Sequence, residues 1–397
     1  MIFIKDKENF IFKNLNYLNY DNMSGESIII DNGSNTCKAG FSDDDMPRVE
    51  IPTVYGSPTQ EGGGTSDQLD TFVGEEAISK GGILDLKNPI IKGEFLDWEG
   101  MEKIWKHIFY NELMAETKSH PVIMSEAAFS KHENKQEMAQ VLFEVLNVES
   151  LYITNSSTLA LYANGRTTGI VIDVGYETTS CVPIYEGFVL NHAIIKMDIG
   201  GKDLTQYLCN LITESDKEKT FTNSAQRNMI NEMKEKICYV AEDYDSEMKR
   251  SLESNKACEY KLPDKTSIIK YKTECFQCPE MLFQPSMHGK DMGGIHEQAI
   301  KSIKRCDDDI HKDLFLNVIL CGGSTLFMKI KNRFNKELQS LAPTGKTVKV
   351  IAPPERKYST WLGGAILASL DSFKQQMFCS KKEYMDGGKD YVYNKFF

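Results

Sequence analysis

Several common features are scarce or missing in this sequence of 397 residues. No apolar stretch approaches the length that spans a bilayer, no secretory signal is evident, and the ten cysteines show no framework spacing. We therefore expect a reducing compartment, the cytosol or the nucleus. The one close cysteine pair, Cys275 and Cys278, has no second pair at zinc spacing, which argues against a metal site there.

A surplus of basic residues is also missing, because 46 Lys and Arg face 57 Asp and Glu for a net charge of −11. This acidic balance argues against a nucleic-acid-binding surface. Basic segments of partner proteins would complement its charge better. The apolar fraction of 41% is ample for a core, and the chain is longer than one core usually serves. We therefore predict two domains.

Two apolar runs each end in an aspartate-led turn. Ile28–Ile30 precedes Asp31-Asn32-Gly33, and Ile170–Ile172 precedes Asp173-Val174-Gly175. A buried strand that breaks at Asp-x-Gly brings backbone N–H groups and a carboxylate to one point, which suits a phosphate chain with bound Mg²⁺. One such turn is typical of an ordinary hairpin, but two indicate a duplicated domain that grips a nucleotide from both sides. A third run, Val318–Cys321, ends in a glycine pair that a ligand can approach closely.

The sequence resembles the actins from about Ser27 to its C-terminus. Long colinear segments carry the resemblance: Tyr110–Leu113, Gly165–Ile170, Val182–Gly187, Leu282–Ser286 and Ile351–Ser359. It implies an α/β, two-lobed ATPase fold of duplicated mixed-sheet domains with inserted small subdomains, and a nucleotide in the cleft between the lobes. The expected cofactor is ATP or ADP with Mg²⁺ or Ca²⁺.

The resemblance also implies domain bounds. Subdomain 1 would comprise residues 24–52, 89–163 and 359–397, subdomain 2 residues 53–88, subdomain 3 residues 164–199 and 291–358, and subdomain 4 residues 200–290. Residues 1–23 lack a helical or strand period and are interpreted as a disordered N-terminal extension. Alternatively, translation begins at Met23, or residues 1–22 form a functional arm.

In actins the first phosphate loop reads Asp-Asn-Gly-Ser and is followed by a lysine, which correspond here to Asp31 to Ser34 and Lys38. The N–H groups of Gly33 to Asn35 and the Ser34 hydroxyl are expected to hold phosphate oxygens, while Lys38 neutralises the β-phosphate side. Asn35 replaces a family glycine, and we expect the turn to survive because asparagine tolerates positive φ. The resemblance assigns two carboxylates to the metal ion, through water: Asp31 and Asp173.

The positions that carry hydrolysis in actins have changed. Tyr176 replaces the second aspartate of the second loop and Glu177 replaces the next glycine. Unless Glu177 turns outward, its repulsion from a phosphate ~5 Å away would cost on the order of 1 kcal/mol. Ser180 replaces the family's histidine, and Ser156 replaces the hydrolytic glutamine but is too short to position water. We expect at most a slow ATPase, with Asn155 as the alternative water-positioning group.

The adenosine side is expected to be intact. The resemblance implies cofactor binding by Gly175, Gly201, Lys234, Glu235, Gly322, Gly323, Ser324 and Lys357. Without the resemblance, Lys234-Glu235 on a helix would be interpreted as an ordinary solvated pair.

The surfaces through which actins polymerise have become more polar. Ser57–Gln68, at the place of the family's mobile loop, has no apolar side chain, and Met287–Met292, at the place of its lateral plug, carries added charge. Each lost apolar contact removes ~1.5–3 kcal/mol, so self-association should be weak. Lys92 stands where actins carry a methylated histidine. The groove that binds amphipathic helices of actin-binding proteins keeps its apolar character. Its residues are Tyr162, Phe188, Ile366 and Leu370, which could alternatively fill the gap between the lobes.

These features together predict an actin-like, ATP-binding cytoskeletal protein of the cytoplasm. A nuclear actin-related subunit of a chromatin-remodelling complex is the alternative, because the hydrolytic positions have changed. The complete actin-like C-terminal third favours the cytoskeletal interpretation, and the extent of the match disfavours a sugar kinase or chaperone ATPase. Expected partners are actin-binding proteins, with actin or other actin-related proteins also open.

Overall fold

A computed structural model describes residues 26–58, 71–254, 257–262 and 268–396. The chain forms two compact units. Unit 1 contains Met1–Thr167, Glu186–Val189 and Tyr358–Phe397, and unit 2 contains Thr168–Tyr185 and Leu190–Lys357. The finer division into four subdomains stays a prediction.

The strands are numbered along the whole described chain. They are β1 (Ile28–Asn32), β2 (Thr36–Phe41), β3 (Val49–Pro52), β4 (Tyr55–Pro58), β5 (Phe72–Val73), β6 (Leu84–Lys87), β7 (Ile90–Ile91), β8 (Glu94–Phe95), β9 (Val122–Glu126), β10 (Ser150–Asn155), β11 (Gly169–Val174), β12 (Thr179–Tyr185), β13 (Phe188–Val189), β14 (Ile195–Met197), β15 (Cys258–Lys261), β16 (Ile268–Tyr271), β17 (Val318–Cys321), β18 (Val350–Ile351) and β19 (Cys379–Ser380).

The α-helices surround these strands. They are Gly74–Ser79, Trp98–Lys106, His132–Gln140, Ser156–Ala163, Gly201–Ser215, Ser224–Ile237, Tyr244–Ser254, Glu274–Glu280, Ile295–Ile303, His311–Leu316, Ile330–Leu341, Ser359–Ala368, Asp371–Gln376 and Lys381–Lys395. In the described part of the chain, none is both long and apolar enough to cross a membrane.

The two units repeat one sheet topology. In unit 1 the strand order is β19-β10-β9-β1-β2-β3, where β1 is antiparallel to β2 and parallel to β9, and β9 is parallel to β10. In unit 2, β11 is likewise antiparallel to β12 and parallel to β17, and β17 is parallel to β18. In unit 2, β14 pairs antiparallel with β12, and in unit 1, β3 pairs antiparallel with β2 in the same way. The predicted duplicated α/β fold is therefore confirmed.

The central strands are apolar on both faces because helices cover both sides of a parallel sheet. Ile28, Ile29 and Ile30 are at most 1% exposed, as are Ile170 and Ile172. Helices with buried apolar side chains pack in the same core. The helix Trp98–Lys106 continues into a π-helical turn, and the helix His132–Gln140 does the same.

The apolar residues from Leu362 to Phe373 lie on two helices. The first helix ends at Ala368, and the Ser369 hydroxyl that follows it donates to the Ile366 carbonyl at 2.7 Å. The predicted mobile loop begins later than Ser57, since this residue belongs to β4 and pairs with β6. Residues 59–70 of that loop, and the N-terminal extension through residue 25, lie outside the described residues.

Candidate functional site

In unit 1 the β1–β2 hairpin places Asp31 opposite Lys38. Lys38 Nζ lies 3.2 Å from Asp31 Oδ2, and Oδ1 of the same carboxylate accepts from the Ser125 hydroxyl at 2.9 Å. Burial lowers the pKa of Lys38, but the nearby Asp31 and Glu50 carboxylates together with Cys37 outweigh this effect, and the net shift is upward. The lysine is therefore charged at neutral pH. A carboxylate oxygen has two lone pairs, so both oxygens of Asp31 can still accept from a metal-bound water.

The turn itself is fixed by contacts from outside the hairpin. Ser34 Oγ accepts from the Gly93 N–H at 3.1 Å, and the Thr53 hydroxyl donates to the Gly33 carbonyl at 2.6 Å. The expectation that Asn35 must tolerate a positive φ is wrong, because neither Asn35 nor Gly33 adopts one. Glycine is needed at position 33 for space, since a Cβ there would lie 2.6 Å from the Thr36 carbonyl oxygen.

Two residues that support this turn were missed in the sequence. Trp105 Nε1 donates to Asn32 Oδ1 at 3.0 Å, while the Asn32 N–H donates to Ser125 Oγ at 2.9 Å. Ser125 lies near the end of β9, which is parallel to β1, so both strands deliver polar groups to the same sheet edge. The polar residue that follows the apolar run Val122–Met124 was the signal that could have identified Ser125.

Ser156 lies at the same edge of the unit 1 sheet. It begins the helix Ser156–Ala163 directly after β10, which is parallel to β9. Asn155 Oδ1 caps this helix by accepting from the Ser157 N–H at 2.8 Å. The capping bond holds the Asn155 side chain in place at the helix start, which argues against this residue as a substitute for the hydrolytic glutamine.

In unit 2 the structure brings together five predicted binding residues. The Gly175 carbonyl accepts from the Gly201 N–H and from the Ser324 hydroxyl, both at 2.9 Å. A Cβ on Gly201 would lie 2.7 Å from Ser324 Oγ, and one on Gly322, which has a φ of 88°, would overlap Asp173 Oδ1. These glycines are therefore required by close packing around the second turn.

Lys234 lies directly beneath this cluster. Its ammonium group donates to the Gly201 carbonyl at 2.8 Å, to Thr205 Oγ1 at 2.9 Å and to Asn231 Oδ1 at 2.8 Å. Burial lowers its pKa. The bonds to Gly201 and Thr205 support the start of the helix Gly201–Ser215, and the bond to Asn231 lies within the helix Ser224–Ile237. Glu235 is exposed and accepts from Asn231 Nδ2 at 2.8 Å.

The Gly322–Thr325 turn is clamped by Arg356, which sequence reasoning did not single out. Its guanidinium donates to Thr325 Oγ1 at 3.0 Å and to the Thr325 carbonyl at 2.7 Å. The Arg356 carbonyl in turn accepts from the Gly322 N–H at 3.3 Å. Lys357, the predicted purine contact, is thereby placed next to this turn, and Gly323 is exposed on it with open space around its Cα.

The changed residues of the second turn have partners within unit 2. Glu177 Oε1 lies 2.8 Å from Lys202 Nζ, and the Tyr176 carbonyl accepts from the Lys202 N–H at 2.7 Å. Burial raises the pKa of the Tyr176 hydroxyl. Ser180 is opposite Asp173 in the β11–β12 ladder. The ion pair offsets the repulsion that the sequence predicted for Glu177.

The four predicted groove residues all belong to unit 1. Phe188 is 74% exposed. Tyr162 and Leu370 are half-buried and pack against the cluster that contains Trp361. Ile366 is also half-buried. The exposed ring of Phe188 and the half-buried side chains of the other three residues leave apolar surface on unit 1.

Each unit presents an aspartate at a strand end, tight glycine-containing turns and a lysine held by oxygen atoms. This combination is suited to phosphate groups. A family model described as Actin matches residues 23–397, nearly the whole chain. The chain therefore belongs to the actin family.

Proposed function

We propose that this protein is an actin-like, ATP-binding protein of the cytoskeleton with impaired ATP hydrolysis and weak self-polymerisation. The observation that carries the proposal is the close packing of Gly175, Gly201 and Ser324 in unit 2, where Ser324 Oγ would lie 2.7 Å from a Cβ on Gly201. This packing holds the second turn, the helix start at Gly201 and the Gly322–Thr325 turn together, at the place where the nucleotide is proposed.

Impaired hydrolysis follows from the side chains at the changed positions. Ser156 carries a hydroxyl where the family carries a glutamine amide, and the side chain of the neighbouring Asn155 is held at the helix start by its capping bond. Tyr176 and Ser180 provide neither the carboxylate nor the imidazole of the family. Phosphoryl transfer depends on positioned groups of this kind, so turnover should be at least ~10²-fold below that of a conventional actin.

ATP binding is tested by a glycine substitution that the fold tolerates. A Cβ on Gly323 would meet nothing within 4 Å, and the same holds for Gly82 in unit 1. Gly323→Ala should therefore leave the unliganded melting temperature unchanged but reduce the ATP-dependent increase in melting temperature, because the methyl group would meet the ligand. Gly82→Ala is the matched control. Equal ATP-dependent shifts in all three proteins would exclude a nucleotide close to Gly323.

Hydrolysis is tested separately by phosphate release from the purified protein, with a conventional actin as the positive control. The wild-type protein should release phosphate near the background rate, and Ser156→Gln should raise that rate. Release by the wild type at the rate of the control actin would overturn the proposal of impaired hydrolysis.

The proposed partners are actin-binding proteins that insert a short amphipathic helix at Tyr162, Phe188, Ile366 and Leu370. The 74% exposure of Phe188 supports this, because large exposed aromatic side chains are favoured at interfaces. We propose a cytoplasmic location because the proposed partners are cytoskeletal proteins. Affinity purification separates this proposal from a nuclear role, since helix-inserting cytoskeletal partners and chromatin-remodelling subunits are distinct sets.

A further inference from the structure

The segment Met287–Met292 contacts the start of the helix Gly201–Ser215 in unit 2. Lys290 Nζ lies 3.2 Å from Asp203 Oδ1 and 3.5 Å from the Asp198 carbonyl oxygen. Asp203 belongs to the first turn of that helix. A lysine of a surface segment is thus attached to the helix whose first residue, Gly201, lies in the proposed nucleotide site.

Asp203 has a second contact at its other oxygen. Oδ2 accepts from the Gly200 N–H at 3.1 Å, which caps the helix. A Cβ on Gly200 would lie 2.7 Å from the Glu177 backbone nitrogen, so Gly200 packs directly on the second turn. Asp203 therefore connects Lys290 on one side with the backbone of the turn on the other.

The charges around this helix start are balanced in pairs. Glu177 is paired with Lys202, and Asp203 is paired with Lys290. Without Lys290, the carboxylate of Asp203 would lose its cation two residues from Gly201, where a negatively charged ligand is expected. The pair is partly exposed, with 35% of the Lys290 side chain and 28% of the Asp203 side chain accessible. Solvent therefore weakens the pair, and its effect should be modest.

We propose that Lys290 is a positioning residue of the ATP site. By pairing with Asp203 it holds Met287–Met292 against the helix start and neutralises a carboxylate in the first turn of the helix that begins at Gly201. This inference rests on the proposed ATP binding. Coupling between two sites is reciprocal, so bound ATP should make this segment harder to open, and a released segment should weaken ATP binding.

The test compares Lys290→Met with a control lysine of similar geometry. Lys336 Nζ lies 3.5 Å from Asp243 Oδ2 and 3.2 Å from the Glu242 carbonyl, away from the predicted binding residues. Lys290→Met should weaken ATP binding about two- to fivefold, whereas Lys336→Met should not. Lys290→Arg should retain the wild-type affinity because it keeps the charge.

Hydrogen exchange of residues 285–294 provides the readout that a purely structural contact would not give. ATP should slow exchange there in the wild type and in Lys336→Met, and this effect should be reduced in Lys290→Met. Normal ATP binding with equal affinities in wild type and Lys290→Met would overturn this inference alone. An absence of ATP binding in the wild type would overturn both this inference and the proposed function.

Discussion

Glu177 and Lys202 form an ion pair in which Oε1 lies 2.8 Å from Nζ. The glutamate side chain is only 11% exposed, while the lysine is 62% exposed. The hydrogen bond to Glu177 raises the pKa of Lys202 above its ordinary value. The acidic substitution in the second turn is therefore accompanied by a cation within the same unit, and the local charge is near zero.

Removing the charge of Glu177 and removing the charge of Lys202 should change the ATP affinity in opposite directions. Glu177→Gln should tighten binding because it leaves the Lys202 charge available, and Lys202→Met should weaken binding because it leaves the carboxylate unpaired. Each change should amount to about 1 kcal/mol or less, since the lysine is largely solvated. Calorimetric titration with Mg²⁺-ATP measures both. Changes in the same direction would indicate general damage to the turn rather than an effect of charge.

The sequence predicts the strand ends of the site because the signal is local. Asp31 and Asp173 each follow a run of isoleucine and valine that forms a buried strand, and both strands are present. The contacts that tune the site join residues far apart in the chain, such as Lys290 and Asp203, which are 87 positions apart. Periodicity and motif spacing carry no information on such pairs. Exposed polar residues like Lys202 have many possible partners, so only the fold identifies the one they contact.

A second prediction concerns the packing of Gly100 in unit 1. The Tyr55 hydroxyl donates to Asp97 Oδ2 at 2.5 Å, and a Cβ on Gly100 would overlap the Tyr55 ring and lie 2.7 Å from the same Asp97 oxygen. Gly100→Ala should therefore destabilise the protein by about 1–3 kcal/mol through overpacking, measured by urea unfolding.

Two variants control for this interpretation. Gly82→Ala adds the same methyl group in open space and should change the free energy of unfolding by less than about 0.5 kcal/mol. In a Tyr55→Val background the added cost of Gly100→Ala should largely disappear, because the clashing ring is gone. An unchanged cost in that background would show that Asp97 or the helix backbone, rather than Tyr55, resists the methyl group.

A carboxylate in the C-terminal helix should make the stability of the protein sensitive to acid. Glu383 accepts hydrogen bonds from the Ser380 N–H at 2.8 Å, the Tyr391 hydroxyl at 2.6 Å and the Lys395 ammonium at 2.9 Å. Burial raises the pKa of this carboxyl group, but the hydrogen bonds outweigh burial and lower it from 4.5 to about 2. The native state thus favours the ionised form more than the unfolded state does. Its stabilisation is complete above pH 4.5 and is lost as the pH falls towards 2.

Glu383→Gln should therefore reduce stability at neutral pH and flatten the loss of stability between pH 4.5 and 2, measured by urea unfolding at several pH values. Glu116→Gln is a suitable control because that side chain is exposed, and it should keep the wild-type pH dependence. If Glu383→Gln and the wild type lost stability in parallel on acidification, the carboxylate would not be the group that titrates.

The protein alone should fail to form long filaments at concentrations where actins do. Residues Ser57–Gln68 contain no apolar side chain. In the segment Met287–Met292, Lys290 is engaged by Asp203 within the same unit. Growth of a filament repeats one heterologous contact, so weakening it by ~3 kcal/mol raises the critical concentration on the order of a hundredfold. Pelleting at tens of micromolar protein with Mg²⁺, salt and ATP, followed by electron microscopy, measures this.

The double variant Gly62→Val with Gly63→Met should lower the critical concentration because it returns apolar surface to this segment. Abundant regular filaments of the wild type would show that other contacts compensate.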